Sequence, residues 1–183
     1  MTREIWLISD THFGHENMLF FRASDHQRVR REFQTVEACD AAMCENWARL
    51  VKPTDIIYHL GDIAMDQEAS RVVKSLPGHK RLLLGNHDRS GVRWYMSLGF
   101  EKIMATRRFE RVILSHIPLH PLSVPEKLLG NVHGHIHRAP SFGPRYLNIS
   151  VEMTNYSPVP LSWAVEQLEK QQKEGENLHA EIE

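Results

Sequence analysis

Cysteine is scarce in this chain, with two residues, Cys39 and Cys44, among 183. They lie five positions apart in a stretch of helical periodicity, so their side chains point in different directions. Such a pair forms neither a disulfide framework nor the Cys-x-x-Cys arrangement of a zinc site. We therefore expect reduced thiols and a cytoplasmic protein.

Long apolar runs and an excess of one charge are also lacking. The run Ile5–Ile8 near the N-terminus is too short for a signal-peptide core or a membrane span. With 22 Lys and Arg against 23 Asp and Glu, the formal net charge is −1, so no global positive field attracts nucleic acid or an acidic membrane. We expect no membrane partner and no stable nucleic-acid binding, and no pattern indicates an oligomeric state.

The composition is that of a globular protein, with 42% hydrophobic and 25% charged residues. A chain of this length can bury enough surface to fold as one domain without disulfides. We predict a single domain over residues 1–175 and a polar tail over 176–183 that frays. Histidine is in excess, at 12 residues, about three times average usage. Because histidine is the commonest metal ligand, this excess is a first indication of a metal site.

Short apolar runs predict buried strands, and helical periodicity predicts helices between them. The predicted strands are Glu4–Ser9, Asp55–His59, Lys80–Leu84, Phe100–Phe109, Val112–Ser115, Gly130–Val132 and Arg145–Val151. The predicted helices are Val36–Val51 with Thr35 as N-cap, Gln67–Leu76, Ser90–Leu98 and Ser162–Glu174 with Ser162 as N-cap. This alternation indicates an α/β fold, with a second sheet or an antiparallel extension in the second half. The proline-rich stretch Ile117–Leu128 should be mostly loop.

Side chains that can bind metal follow five of the predicted strands. In an open α/β sheet, ligands bind beyond the carboxyl ends of the strands, so these segments can converge on one crevice. A spacing of two residues also places both side chains on one face where the backbone is extended. Oxygen and nitrogen ligands without thiolates suit Mn²⁺, Fe or Zn²⁺ better than a structural zinc. The segments are Asp10-Thr11-His12, Gly61-Asp62, Gly85-Asn86-His87-Asp88, Ser115-His116 and Gly134-His135-Ile136-His137.

Each segment alone has an ordinary explanation, since Asp-x-His and Gly-Asp occur by chance and Gly-Asn-His-Asp can be a simple turn. Together, and in this order, they resemble the calcineurin-like metallophosphoesterases, whose pattern is D-x-H, G-D, G-N-H-[DE], H and G-H-x-H. The resemblance covers most of the chain. It implies a four-layer αββα sandwich of two mixed β-sheets flanked by helices, with a binuclear metal centre at one end.

The resemblance also implies roles for individual residues. One metal ion would be held by Asp10, His12 and His137, and the other by Asn86, His116 and His135. Asp62 would bridge the two ions. His87 would lie beside the substrate phosphate without binding metal, and Asp88 would orient it.

The expected activity is metal-dependent hydrolysis of phosphate esters. Two metal ions can lower the pKa of a bridging water and clamp the phosphoryl oxygens. We expect in-line attack by the metal-bridging hydroxide without a covalent intermediate, with His87 able to donate a proton to the leaving oxygen. A phosphodiesterase acting on a small or nucleotide-like substrate is favoured. The alternatives are a phosphomonoesterase and a non-catalytic metal-binding scaffold. Mn²⁺ is the first choice of metal, with Fe, Zn²⁺ and Ni²⁺ open.

Two branches of this superfamily fit less well. Protein Ser/Thr phosphatases carry G-D-x-V-D-R-G, whereas this chain has Gly61-Asp62-Ile63-Ala64-Met65. DNA-processing nucleases usually add a DNA-binding domain, for which we expect no room here. The near-neutral charge also argues against tight binding to DNA.

Several residues near the motifs keep two interpretations. His15 and Asn17 could contact substrate or support a ligand, or could simply pack the loop. His133 would share a face with His135 and His137 if the strand stays extended, and could orient a ligand. His59 should pack in the core, whereas we expect surface positions for His26, His79, His120 and His179. Two arginine clusters could hold a second phosphate or a nucleotide, although a solvated face is their more usual meaning: Arg28, Arg30 and Arg31, and Arg107, Arg108 and Arg111.

Overall fold

The computed structural model describes the backbone of residues 3–180 and the side chains of residues 3–175. Within that range, nine strands and four α-helices follow one another along the chain, with short 3-10 helices at Glu16–Leu19, Arg71–Ser75, Pro121–Ser123 and Val151–Met153. The elements are β1 (Ile5–Ile8), α1 (Val36–Leu50), β2 (Ile56–His59), α2 (Gln67–Ser70), β3 (His79–Leu83), α3 (Val92–Ser97), β4 (Phe100–Met104), β5 (Thr106–Arg108), β6 (Val112–Ser115), β7 (Gly130–His133), β8 (Tyr146–Asn148), β9 (Val159–Pro160) and α4 (Leu161–Ala180).

The strands form two mixed sheets. The first has the order β4-β3-β2-β1-β9, in which β1 to β4 are parallel and β9 runs antiparallel to β1. The second has the order β5-β6-β7-β8, in which β6 to β8 are parallel and β5 is antiparallel to β6. Two mixed sheets with flanking helices confirm the predicted fold class. Because strands of a sheet run parallel, the loops that follow β1, β2 and β3 leave at one end of the first sheet.

Apolar side chains on both faces of the first sheet are buried, as its alternating pattern requires. The inner face packs against the second sheet through Leu7, Tyr58, Leu83, Leu114 and Val132, and α4 adds Ala164 and Leu168 to the same core. The outer face packs against the helices that follow β1 to β3, with Ile8, Ile57 and Leu82 beside Met43 and Trp47.

The outer face of the second sheet is covered by the proline-rich stretch 117–128. Leu119 lies over it, donating its backbone N–H to Asn131 at 2.8 Å and accepting a hydrogen bond from the Tyr146 hydroxyl at 2.9 Å. The stretch is loop apart from one 3-10 helix, Pro121–Ser123, in agreement with the prediction.

The first helix forms as predicted, with Thr35 as its N-cap accepting from the N–H of Ala38 at 3.2 Å. Three other predicted boundaries were wrong. The run Phe100–Phe109 is two strands in different sheets, because the chain crosses from the first sheet to the second between β4 and β5. The run Gln67–Leu76 is one α-helical turn followed by a 3-10 helix. The run Arg145–Val151 leaves the second sheet after Asn148 and becomes a 3-10 helix.

The last helix also differs from its prediction. It starts at Leu161, so Ser162 lies inside it rather than at the N-cap, and it continues past Glu174 and Gly175 to Ala180. The side chains of the predicted tail 176–183, including His179, lie outside the described residues. Strand β9 went unpredicted because two residues, one of them proline, give no alternation. Over the described part of the chain, no helix combines the length and apolar character needed to cross a bilayer.

Candidate metal centre

The loops after β1 and β2 run side by side and are hydrogen-bonded to each other. Asp10 donates its backbone N–H to the carbonyl of Gly61 at 3.0 Å, and His12 donates to Asp62 at 3.0 Å. These bonds place the Asp-x-His and Gly-Asp segments against one another through their backbones, independently of any metal.

The loops of the second sheet reach the same place. The N–H of His135 donates to both carboxylate oxygens of Asp10, at 3.0 Å each. Gly134 donates to the carbonyl of His116 at 3.0 Å, and the His116 ring places Nδ1 2.8 Å from the carbonyl of Leu60. The two sheets therefore meet at the predicted site.

Two groups of side chains could each hold a metal ion, with their ligand atoms all within 4.8 Å of one another. Asp62 joins the groups, because its Oδ2 lies 3.5 Å from Nε2 of His12 and 3.4 Å from Nε2 of His116. Asn86 reaches the second group, with Oδ1 2.9 Å from Nε2 of His116. All seven predicted ligands are thus brought together. The groups are Asp10, His12 and His137, and Asp62, His116 and His135.

The backbone at these positions is not extended. Five of the eight described non-glycine residues with positive φ are predicted ligands: Asp10 (59°), His12 (45°), Asp62 (56°), His135 (71°) and His137 (47°). We expected a spacing of two residues to place both side chains on one face where the backbone is extended. The side chains do lie together, but the backbone is not extended, so this explanation was wrong. At these five ligands the chain turns sharply, in a conformation that costs about 1–3 kcal/mol per residue and is typical of functional sites, and these turns bring the side chains together.

Two glycines let backbone pass directly against the ligands. A Cβ atom on Gly85 would overlap the side chain and N–H of Asp62, and one on Gly134 would overlap the side chains of Ser9 and Asp10. These positions accept only glycine as long as both carboxylates stay in place.

Hydrogen bonds fix the tautomers of two histidines. The carbonyl of Leu60 only accepts, so Nδ1 of His116 carries the proton in the neutral ring and Nε2 presents a lone pair. That lone pair faces the acceptor oxygens of Asp62 and Asn86. Nδ1 of His137 faces the carboxylate of Glu152 at 3.1 Å, which likewise frees its Nε2. Without a metal ion, burial opposes protonation of both rings, but the hydrogen bond to Asp62 raises the pKa of His116, and the hydrogen bond to Glu152 raises that of His137. A divalent metal ion between the lone pair and the acceptor oxygens would take the place of that proton.

Burial shapes the charges of the first group. Desolvation lowers the pKa of His12 to about 2, so its ring stays neutral and able to bind metal. Both of its ring nitrogens are buried without a hydrogen-bond partner among the described residues. Desolvation also raises the pKa of the fully buried Asp10. Unsatisfied imidazole nitrogens beside a buried carboxyl fit a bound metal ion.

Asp62 is held as a carboxylate. Burial opposes its ionisation, but His116, the N–H of His87 and the nearby His12 outweigh that effect and hold its pKa well below 3.8. Oδ1 accepts from the backbone N–H of His87 at 2.8 Å, which leaves Oδ2 turned towards the two histidines.

His87 stands beside both groups and belongs to neither. It is half-buried, and its ring centroid lies 5.5 Å from that of His12. The expectation that Asp88 orients this ring does not match the structure. The Asp88 carboxylate accepts from the backbone N–H groups of Asp62 (2.8 Å), Gly85 (2.8 Å) and Ile63 (3.1 Å). Asp88 therefore fixes the two loops that carry Asp62 and Asn86.

Other predicted residues occupy distinct positions. His15 lies at the rim, with its ring centroid 5.6 Å from that of His12 and 5.7 Å from that of Phe21. Asn17 is exposed on the 3-10 helix Glu16–Leu19. His133 does not share a face with His135 and His137, because β7 ends at His133 and the backbone has positive φ at His135 and His137. Its Nδ1 lies 2.9 Å from the carbonyl of Gly134, within the turn that carries His135.

Glu152 was not among the predicted site residues, and Arg30 takes neither of the two positions expected for it. Arg30 is 1% exposed, so it belongs neither to a solvated face nor to a phosphate site. It donates Nε to Glu152 at 2.9 Å and an Nη to the backbone carbonyl of Asp10 at 2.7 Å, while Glu152 contacts His137. The available signal was the position of Glu152 directly after a predicted strand, as for the other site residues.

Of the remaining arginines of the two clusters, Arg28 is half-buried and the other four are exposed. Arg31 is exposed beside Glu32, and Arg107 and Arg108 lie on the exposed strand β5. Arg111 pairs with Glu169 at 2.5 Å. This placement agrees with the solvated alternative.

Comparison with known proteins agrees with the geometry. Residues 3–175 match the family model of the calcineurin-like phosphoesterases. The chain belongs to this family. It is therefore a hydrolase of the phosphoesterase type, and its family binds divalent metal ions in a binuclear centre.

The relatives of this calcineurin-like phosphoesterase are similarly small. It is 29% identical over 178 residues to the uncharacterized protein MJ1445 of Methanocaldococcus jannaschii, covering 92% of this chain and 93% of that one. It is 32% identical over 88 residues to the gene 66 protein of Mycobacterium phage L5, covering 45% of this chain and 39% of the phage protein. The crystal structure of AQ665, a protein of unknown function from Aquifex aeolicus, superimposes with a TM-score of 0.66 at 25% identity, covering 87% of this chain and 96% of that one.

Proposed function

We propose that this phosphoesterase is a phosphodiesterase that hydrolyses small or nucleotide-like diesters by direct in-line attack of water. The observation that carries the proposal is Asp62, whose Oδ2 lies 3.5 Å from Nε2 of His12 in one ligand group and 3.4 Å from Nε2 of His116 in the other. Two bound metal ions would activate the water and offset the charge of the phosphoryl oxygens. We propose Mn²⁺ as the metal, with Fe, Zn²⁺ and Ni²⁺ as the alternatives to test.

The protein supplies the rest of the chemistry. Asp10, His12 and His137 would hold one ion, and Asn86, His116 and His135 the other, with Asp62 between them. His87 lies next to the groups with its ring half-buried, where it can donate a proton to the departing oxygen. Asp88 acts through the backbone by fixing the Asp62 and Asn86 loops.

The charge around the site supports a diester over the alternative, a phosphomonoester. A monoester carries close to two negative charges near neutral pH and a diester carries one. Arg30 is the buried arginine whose charge acts on His12, His15 and His137, whereas the exposed Arg89 lines a pocket beside His87. Its donor nitrogens are engaged by Glu152, Cys39 and the backbone of Asp10, so they are not available to a second phosphate oxygen.

The proposal also covers the substrate class and the cellular location. A small phosphate ester, rather than stably bound nucleic acid, suits the balanced net charge of −1. The cytoplasmic location stays a prediction, and it rests on the two free cysteines, whose burial raises both thiol pKa values to about 11.

The test compares matched nitrophenyl phosphate monoester and diester substrates. The protein is stripped of metal and reloaded separately with Mn²⁺, Zn²⁺, Ni²⁺ or Fe²⁺, with Asp62→Asn and His87→Ala as matched variants. Metal-dependent turnover of the diester, lost in both variants, is the expected result. Faster turnover of the monoester would favour the phosphomonoesterase. A folded protein that binds two ions and turns over neither ester would favour the scaffold, for which partner binding should survive His87→Ala.

The stereochemistry of the reaction tests the direct attack separately. A diester made chiral at phosphorus should react with inversion, because one displacement at phosphorus occurs. Retention would require two displacements through a covalent enzyme intermediate and would rule out the proposed route.

A further inference from the structure

A pocket of about 440 Å³ opens beside His87. One wall is the chain from Ile63 to Ser70, which follows Asp62, and the other is the chain from His87 to Tyr95, which follows Asn86. Its volume falls within the range of about 300–1,000 Å³ that is usual for small-molecule sites. The pocket is therefore built by the continuation of two loops that carry predicted metal ligands.

We propose that this pocket binds the leaving group of the diester, and that the leaving group is a polar ring alcohol of about nucleoside size. The inference rests on the proposed phosphodiesterase function. In an in-line displacement, the leaving oxygen departs on the side opposite the attacking water, and its proton donor must lie within hydrogen-bond reach. His87 contributes to the pocket wall and stands beside the ligand groups, so an alcohol that accepts its proton lies in the pocket.

The reaction balances with this placement. The oxygen of water forms a new bond to phosphorus as the bond from phosphorus to the leaving oxygen breaks. The electron pair of that bond goes to the leaving oxygen, which takes a proton from His87. The attacking water gives up one proton to the solvent and its other proton stays on the phosphate monoester, while His87 regains a proton from the solvent. The alcohol is then released into the pocket, while the phosphate monoester stays at the ligand groups.

The walls of the pocket match a ring with polar edges. Met65, 46% exposed, supplies apolar surface, and Tyr95, 4% exposed, contributes only a small part of the wall. Gln67 and Ser90 supply an amide and a hydroxyl, joined to each other by a long hydrogen bond of 3.5 Å that a ligand can replace. Arg89 is exposed and makes a 3.4 Å contact with the carbonyl of Asn86, so its other donors can turn to the ligand. Apolar surface beside amide, hydroxyl and guanidinium groups suits a nucleoside better than an alkyl chain.

Gly91 offers a way to block the pocket without disturbing the fold. It lines the pocket, a Cβ atom on it would meet nothing within 4 Å, and its backbone angles (φ −64°, ψ 156°) suit any residue. Gly91→Tyr should therefore fold and place a ring over the pocket. Ser97→Tyr is the matched control, because Ser97 is an exposed residue of the same helix, α3, and does not line the pocket.

The first measurement does not depend on turnover. Saturation-transfer NMR with thymidine should give a signal for the wild type and for Ser97→Tyr, and that signal should be lost in Gly91→Tyr. The second measurement is the hydrolysis of bis(p-nitrophenyl) phosphate by metal-loaded protein. Gly91→Tyr should raise KM about tenfold, the size expected for losing one good ring contact, and Ser97→Tyr should leave KM unchanged.

The two proposals fail in different ways. A wild type that turns over the diester, with KM and thymidine signal unchanged in Gly91→Tyr, would overturn the leaving-group site and leave the phosphodiesterase standing. A wild type without diester turnover under any metal would overturn the phosphodiesterase and the leaving-group role together. A thymidine signal that persists in Gly91→Tyr would place the nucleoside elsewhere and overturn the inference.

Discussion

The carboxylate of Glu152 lies 3.1 Å from Nδ1 of His137 and accepts a hydrogen bond from Arg30 at 2.9 Å. Arg30 continues the chain of contacts to the backbone carbonyl of Asp10. Burial alone would raise the pKa of Glu152, but His137 and Arg30 outweigh that effect and lower it to about 2. A permanent carboxylate behind His137 fixes the tautomer that leaves Nε2 free, and it also makes that nitrogen a stronger ligand.

Glu152→Gln should therefore weaken metal binding by about 10- to 100-fold, the usual effect of losing a hydrogen-bonded carboxylate behind a histidine ligand. The measurement is a competition titration of the metal-free protein with Zn²⁺ against a chromophoric chelator. Glu32→Gln is the matched control, because Glu32 bonds Arg138 and Tyr156 instead of a predicted ligand. Equal affinities for Glu152→Gln and the wild type would show that this carboxylate does not support the centre.

Arg30→Met should cost about 3–5 kcal/mol of the free energy of unfolding, because it leaves the buried Glu152 without its cationic partner. Urea unfolding of the metal-free proteins measures this cost. Arg31→Met serves as the control, since Arg31 is half exposed and pairs with the exposed Glu32, and its loss should change stability by less than about 1 kcal/mol. A cost below about 1 kcal/mol for Arg30→Met would mean that the buried ion pair of Arg30 and Glu152 is not needed for folding.

The strands and helices that could be predicted from the sequence are those whose pattern lies within a few neighbouring residues. Apolar runs such as Ile56–His59 and the capped helix after Thr35 carry their pattern within a few residues, and the structure forms both. The segments that carry the predicted ligands could be located because each follows a strand, and the resemblance to the calcineurin-like phosphoesterases implied which of their residues bind metal. The crossing between β4 and β5 could not be predicted, because Phe100–Phe109 has one continuous strand pattern and only packing decides which sheet each half joins.

The residues that support the metal centre could not be predicted from local sequence patterns, because their partners are distant in the chain. Arg30 and Glu152 are 122 residues apart, and an arginine in a basic cluster has the composition of a surface segment. Asp88 follows His87 directly, yet it bonds backbone groups of Asp62 and Ile63 that are about 25 residues away. For Asp88, sequence proximity suggested the wrong partner, and for Arg30 the basic cluster suggested a surface position, because only the fold brings their distant partners to these side chains.

Gly134→Ala should disrupt the first ligand group without unfolding the protein. The added Cβ atom would overlap the side chains of Ser9 and Asp10, so the Asp10 carboxylate must move away from His12 and His137. Calorimetric titration of the metal-free variant with Mn²⁺ should show one of two binding events lost or greatly weakened. Gly91→Ala has the same chemical change in open space and should retain both events. Two unchanged events in Gly134→Ala would contradict the assignment of Asp10.

His59 should make folding stability depend on pH. Its ring is fully buried, and desolvation lowers its pKa from 6.5 to about 3. Nδ1 accepts from the N–H of Gly61 at 3.2 Å, so Nε2 carries the proton and donates to the Thr11 hydroxyl at 2.9 Å. That hydroxyl donates in turn to the carbonyl of Ile63 at 2.8 Å. A second proton on this ring would have no acceptor.

Between these two pKa values the unfolded chain binds a proton at His59 that the folded chain does not. The stabilisation is therefore complete above pH 6.5 and declines as the pH falls towards 3, by up to about 1.4 kcal/mol per pH unit. His59→Gln keeps an amide donor for Thr11 but does not titrate. Urea unfolding at pH 7.5, 6.0 and 5.0 should show a shallower pH dependence for the variant, even though it is less stable at pH 7.5. Other buried histidines contribute equally to both proteins, so the difference in slope isolates His59. Parallel slopes would mean that the pKa of His59 is the same in the folded and the unfolded chain.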